Sequence, residues 1–219
     1  MKNVKVFIFD MDGVLLDTES LCKKCWRLAA QERGLSDVDT VYYKCVGQAS
    51  QDTLRTLQNF WGNGDAGGNF DAREWYDYAK SLFYKVEKSD GLEKMHGAEE
   101  CLKRLKDKGY TLALASSTRR SSVERQLTNA GLINYFKTLT CGDSVKHSKP
   151  DPEIYINACE SLGLKPEECA AVEDSPNGVL SAYNAGLSVI MVPDQIQPAE
   201  EIKKLCTEIF STLDEIEPV

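Results

Sequence analysis

Only two histidines, His96 and His147, occur in the 219 residues, so no His-based catalytic triad or metal cluster is expected. No stretch approaches the ~18 consecutive apolar residues of a membrane span. The N-terminal apolar run is broken by Asp10, too short for the hydrophobic region of a secretion signal. A cationic excess is also missing: 26 lysines and arginines face 34 acids, a net charge of -8. That balance argues against a general nucleic-acid or anionic-membrane binder, and a phosphorylated substrate would need a local basic pocket. The glycine-rich segment Gly62-Asn63-Gly64-Asp65-Ala66-Gly67-Gly68 lacks both a preceding strand and a following Gly-Lys-Ser/Thr, so it reads as a surface connector. The expected class is a cytoplasmic globular enzyme with no nucleic-acid or membrane partner, and a monomer is the expected state.

Cysteine is not scarce. The eight cysteines, at 22, 25, 45, 101, 141, 159, 169 and 206, are scattered through helical and strand patterns in a chain without a signal, which predicts buried reduced thiols. Cys22-x-x-Cys25 falls on an amphipathic helix with no second Cys/His pair at metal-ligand spacing, so packing is the expected role.

At 42% apolar, the chain can bury a full core, and its length suits one domain with a sizeable insertion or two small domains. Val6-Phe7-Ile8-Phe9 reads as a buried parallel strand. Leu112-Ala113-Leu114-Ala115, Ala170-Ala171-Val172 and Val189-Ile190-Met191-Val192 resemble it, with Thr138-Leu139-Thr140 a fainter member. Helical patterns over 98–108, 121–130, 152–162 and 177–185 lie between them, stopped by Gly109, Gly131, Gly163 and Gly186. This alternation predicts an α/β, Rossmann-like parallel sheet with helices on both faces. Residues 16–91 show only helical periodicity, in Leu21, Cys25, Trp26, Leu28 and Ala29, in Leu54, Leu57, Phe60 and Trp61, and in Trp75, Tyr76, Ala79, Leu82, Phe83 and Val86. The expected organisation is a core of 1–15 and 92–219 with an α-helical cap inserted at 16–91.

The chemistry gathers at strand ends. In Asp10-Met11-Asp12-Gly13, alternate positions on an extended chain direct both carboxylates the same way, and Gly13 permits a sharp turn; an Asp-rich turn capping the next helix is the alternative for this motif alone. In an open parallel sheet the same edge also collects Ser116-Ser117-Thr118, Lys149 and Glu173-Asp174. Several acids in one place repel one another and imply a cation, and an all-oxygen set suits Mg²⁺. Ser116, Thr118 and the helix start beyond them offer donors to an anion, and Lys149 offers a point charge.

Four motifs in order, Asp10-x-Asp12-Gly13, Ser116, Lys149-Pro150 and Glu173-Asp174-Ser175-x-x-Gly178, resemble the haloacid dehalogenase superfamily across nearly the whole chain. The resemblance is to the branch with a helical cap after the first strand, which holds phosphatases and β-phosphoglucomutase-like enzymes. It implies that Asp10 is a nucleophile forming an aspartyl-phosphate and Asp12 a general acid and base. It also implies Mg²⁺ on the Asp10 carboxylate, the Asp12 backbone carbonyl and Asp174, with Glu173 beside or behind them. Ser116 and Lys149 would hold the phosphoryl oxygens, with Ser117, Thr118 and Arg119 as neighbours; for Arg119 and Arg120 a solvated helix start is the competing reading.

Dehalogenases need neither the second acid nor Mg²⁺, so Asp12 and the acidic fourth motif favour phosphoryl transfer. The rival is a β-phosphoglucomutase-like isomerase, whose cap carries a histidine and an arginine where this chain has Cys22 and Ser50, residues unable to do those jobs. A catalytically silent binding protein on the same fold is the remote alternative. The expected activity is therefore Mg²⁺-dependent hydrolysis of a small phosphorylated metabolite, a sugar or polyol monophosphate, with the cap hinging near 15–17 and 90–92. Thr18, Cys22, Gly47, Gln48, Ser50 and Lys80 are its candidate pocket residues.

Overall fold

The computed structural model describes residues 3–46, 50–62 and 70–217. The chain divides into two compact units, Met1–Asp17 with Leu92–Val219, and Thr18–Gly91. The first unit is built on β1 (Val6–Phe9), the second on α1 (Thr18–Glu32), α2 (Val38–Cys45), α3 (Ser50–Trp61) and α4 (Ala72–Asp90). The chain then returns to the first unit through α5 (Ala98–Asp107), β2 (Thr111–Ser116), α6 (Arg120–Asn129), β3 (Thr138–Cys141), α7 (Glu153–Leu162) and β4 (Cys169–Glu173). It ends with α8 (Pro176–Asn184), β5 (Ser188–Met191), α9 (Glu200–Lys203) and β6 (Glu208–Ile209).

All strand pairs are parallel and the sheet order is β3-β2-β1-β4-β5-β6. The chain reverses its winding beside β1, so the crevice for a ligand opens past the ends of β1 and β4. Period-two alternation sorts each strand between two cores. Phe7, Phe9, Leu112, Leu114 and Val172 pack with Leu102 and Leu105 of α5 and Val123 and Leu127 of α6. Val6, Ile8, Ala113, Ala115 and Ala171 pack with Ile154, Tyr155 and Ala158 of α7 and Val179 and Ala182 of α8. Helices thus cover both faces, which is why every central strand reads as a continuous apolar run.

The helical unit has its own core, in which Trp26, Trp61 and Trp75 meet edge to face, with ring centroids 5.1 Å apart for Trp26–Trp75 and 4.9 Å for Trp61–Trp75. These aromatics fill the core of the helical unit. All eight cysteines are free thiols, six of them buried. Among the described residues no helix is long and apolar enough to cross a membrane.

Three elements escape the sequence pattern. Strand β6 is two exposed residues paired to β5 at the sheet edge, too short to alternate. In α2 only Val41, Tyr42 and Cys45 are buried, and α9 buries none of its residues, so neither shows a long apolar stripe. Residues 63–68 of the glycine-rich connector lie outside the described residues.

Candidate active site

Asp10 follows β1 directly and its N–H donates to Val172 O (2.9 Å), which continues the β1–β4 ladder by one residue and fixes the carboxyl at the crevice. The chain then turns: Gly13 N–H donates to Leu16 O (3.0 Å) at φ +78. A Cβ at Gly13 would stand 2.5 Å from Asp174 Oδ2, so this position requires glycine for its backbone angle and for its neighbour.

The two carboxylates of the motif point to different partners. Asp10 Oδ1 accepts from Lys149 Nζ at 2.6 Å. Asp12 Oδ2 accepts from Thr118 Oγ1 (2.9 Å) and Ser116 Oγ (3.3 Å) at the end of β2. Ser116 Oγ in turn accepts from Thr118 N (3.1 Å). Lys149 Nζ also donates to Ala115 O (3.0 Å) and to Glu173 Oε1 (2.6 Å).

Glu173, the last residue of β4, is fully buried, and its Oε1 takes a second donor, Tyr155 Oη at 2.6 Å. Its Oε2 has no hydrogen-bond partner among the described residues. Gly178 of α8 lies against this carboxylate so closely that a Cβ there would stand 1.9 Å from Oε2. Ser175 caps α8 by accepting Gly178 N–H (3.1 Å), which puts the helix start and its positive dipole end beside the acids.

One oxygen each from Asp10, Glu173 and Asp174 falls within a mutual 4.8 Å, and one lysine stands against these acids. The donor set is all oxygen, carboxylates with no histidine or thiol among them, which is what a hard divalent cation fits. Burial pushes Asp10 up to about 7, with Glu173 and Asp12 adding to the rise against the pull of Lys149. Asp174 moves the same way, through burial and then the Glu173 and Asp10 charges. Burial opposes the charge on Lys149, but Asp10 and Glu173 more than offset it and hold the ammonium above its ordinary value.

Asp10, Asp12, Ser116, Thr118, Lys149, Glu173 and Asp174 therefore come together at one edge. Ser117 and Arg119 are exposed. Arg120 is tied to Leu139 O (2.6 Å) and, through its N–H, to Asp143 Oδ1 (3.2 Å), as a helix start rather than a free cation. Two residues escape the sequence reading. Tyr155 is hidden by the apolar periodicity of α7. Asp194 follows β5, and its buried Oδ2 lies 3.5 Å from the same Gly13 Cβ position as Asp174, with no partner among the described residues. The polar residue just past an apolar run was the available signal for Asp194.

His147, Asp151 and Glu153 also bring ligand atoms within 4.8 Å, a His-containing cluster the sequence reading does not expect. The Glu153 carboxylate there accepts the N–H groups of Lys146 (3.0 Å) and His147 (2.9 Å), so it closes a loop.

In the helical unit, Thr18 is buried at the start of α1. Cys22 lines a cavity of about 150 Å³ with Glu19, Trp26, Tyr42, Cys45, Val46, Thr53 and Tyr76. Tyr42 Oη donates to the Glu19 carboxylate. Burial and the Glu19 charge push the Cys22 thiol up to about 12, which leaves it protonated and a poor nucleophile. Ser50 and Lys80 are exposed, Lys80 Nζ lying 5.5 Å from the Tyr76 ring centroid. Gly47 and Gln48 lie outside the described residues.

A profile of haloacid dehalogenase-like hydrolases matches residues 7–192, and the chain belongs to that family. It is 35% identical over 187 residues to a phosphorylated carbohydrates phosphatase of Thermotoga maritima, covering 85% of this chain and 84% of that protein. It is 29% identical to hexitol phosphatase A of Escherichia coli, over 86% of this chain and 82% of that one. The fold also matches the crystal structure of β-phosphoglucomutase from Clostridium difficile, with TM-score 0.72, 19% identity and coverage of 98% and 93%.

Proposed function

We infer that the protein is a divalent-metal-dependent phosphatase acting on a sugar or polyol monophosphate through an aspartyl-phosphate at Asp10. The observation that carries this is the division of labour between the two motif carboxylates: Asp10 is paired with Lys149, while Asp12 is turned onto the Ser116 and Thr118 hydroxyls. Asp10 supplies the attacking carboxylate oxygen while Lys149 orients the other and draws the phosphoryl oxygens toward the nucleophile. Asp12 gives its proton to the departing alkoxide and later takes one from the water that cleaves the acyl-phosphate, help typically worth about 10²–10⁴-fold. Ser116 and Thr118 hold Asp12 at its angle and offer hydroxyls to the phosphoryl group. Asp10, Asp174 and the Asp12 backbone carbonyl would hold Mg²⁺, with Glu173 beside or behind them, and the ion would supply charge neutralisation between an anionic nucleophile and an anionic substrate.

The substrate class is supported by the relatives named for phosphorylated carbohydrates and hexitols. The cavity around Cys22 has hydroxyls and one carboxylate in its lining, which suits a hydroxylated group. The mutase reading draws on the shared fold and is weakened by Cys22 and Ser50 in place of imidazole and guanidinium.

The test is to incubate the protein and Asp10→Asn with Mg²⁺ and a panel of sugar, polyol and nucleotide monophosphates, scoring phosphate release and product isomers. Asp10-dependent release that chelator stops and Mg²⁺ restores is expected. Isomerisation without net release would make the protein a mutase.

A further inference from the structure

A lysine ammonium has three N–H donors, and Lys149 has an acceptor for each: Asp10 Oδ1, Ala115 O and Glu173 Oε1. Its side chain is only 8% exposed, so solvent does not stand by to replace a lost partner. A phosphoryl oxygen arriving at Lys149 has to share or take one of these protons. If Glu173 surrendered it with nothing in return, a fully buried carboxylate would be left without a donor, a cost well above that of an ordinary broken hydrogen bond. Tyr155 prevents this, because its hydroxyl already donates to the same Glu173 Oε1 at 2.6 Å. Its ring also lies 5.2 Å from Lys149 Nζ, within the range of a cation–π contact that tolerates small shifts of the ammonium. Packing alone does not call for that hydroxyl: Tyr155 is wholly buried on the apolar face of α7, where phenylalanine would fill the same volume.

We propose that Tyr155 is a positioning residue that keeps Glu173 hydrogen-bonded while Lys149 turns to a phosphoryl oxygen. This rests on the reading that Lys149 grips the phosphate. No covalent step is involved; Tyr155 and Glu173 exchange no proton.

Calorimetric titration of inorganic phosphate, with Mg²⁺ present, into the wild type, Tyr155→Phe, Glu173→Met and the double variant tests it. Tyr155→Phe is expected to weaken phosphate binding by about tenfold, the cost of one unsatisfied buried acceptor. In the Glu173→Met background, where no acceptor is left for the hydroxyl, the same substitution is expected to change binding less than twofold, a coupling that general loosening of the core would not produce. Should Tyr155→Phe fail to fold, the double variant decides: folding restored by removal of the Glu173 acceptor supports the role, and a double variant that also fails to fold overturns it. Phosphate bound equally by wild type and Tyr155→Phe overturns the Tyr155 role alone. A wild type that binds no phosphate overturns the reading of Lys149 with it.

Discussion

At the scale of single residues, Asp10 is held at the end of β1 among acids, and the charge it carries depends on what else occupies the crevice. Without a cation, burial first and then Glu173 and Asp12 push its carboxyl up from 3.8 to about 7. A raised carboxyl binds its proton more tightly in the folded chain than in the unfolded one. The stability this contributes is fully present below about 3.8 and is lost as pH rises through about 7. In metal-free buffer the melting temperature of the wild type, measured relative to Asp10→Asn, should therefore fall across that window. A difference that rises with pH there would contradict the account. Asp10, Asp12, Ser116, Lys149, Glu173 and Asp174 were legible because each stands at or just past a strand end or beside a proline, where local pattern carries the signal. Tyr155 was not, since its link to Glu173 depends on how α7, packed on β2 and β3, carries a hydroxyl to the end of β4, which no local pattern encodes.

At the scale of elements, α8 is seated by contacts that a single methyl group would break. Ser175→Ala removes the cap on Gly178 N–H and should cost about 1 kcal/mol, with the site otherwise intact. Gly178→Ala drives a Cβ into the Glu173 carboxylate, so it should cost about 1–3 kcal/mol and, unlike Ser175→Ala, displace the partner of Lys149 and depress turnover. Denaturant melts paired with phosphate release separate the two. Full activity in Gly178→Ala would mean that the Glu173 position does not matter. The core strands and α5 to α8 were readable from apolar runs closed by glycines. β6 and α9 were not, because two and four residues are too few to show a period.

At the scale of the molecule, the helical unit interrupts the α/β unit at one place, and the chain on either side is joined to itself. Asp17 N–H donates to Glu93 O (2.9 Å) and Met95 N–H to Leu15 O (3.0 Å), so a short connection spans the gap. Among the described residues each unit has apolar clusters of its own, two in the first and one in the second. Replacing Thr18–Gly91 with a short Gly/Ser linker should leave a chain that unfolds cooperatively with an α/β circular-dichroism spectrum; a molten or insoluble product would show that the units need each other to fold. The central claim is that Asp10 is phosphorylated during turnover, and an acid quench of the enzyme with Mg²⁺ and a reactive phosphomonoester tests it most directly. Peptide mass mapping should find the phosphoryl group on Asp10, trapped in larger amount in Asp12→Ala and absent from Asp10→Asn. Turnover with no label at Asp10, or turnover surviving in Asp10→Asn, would contradict it.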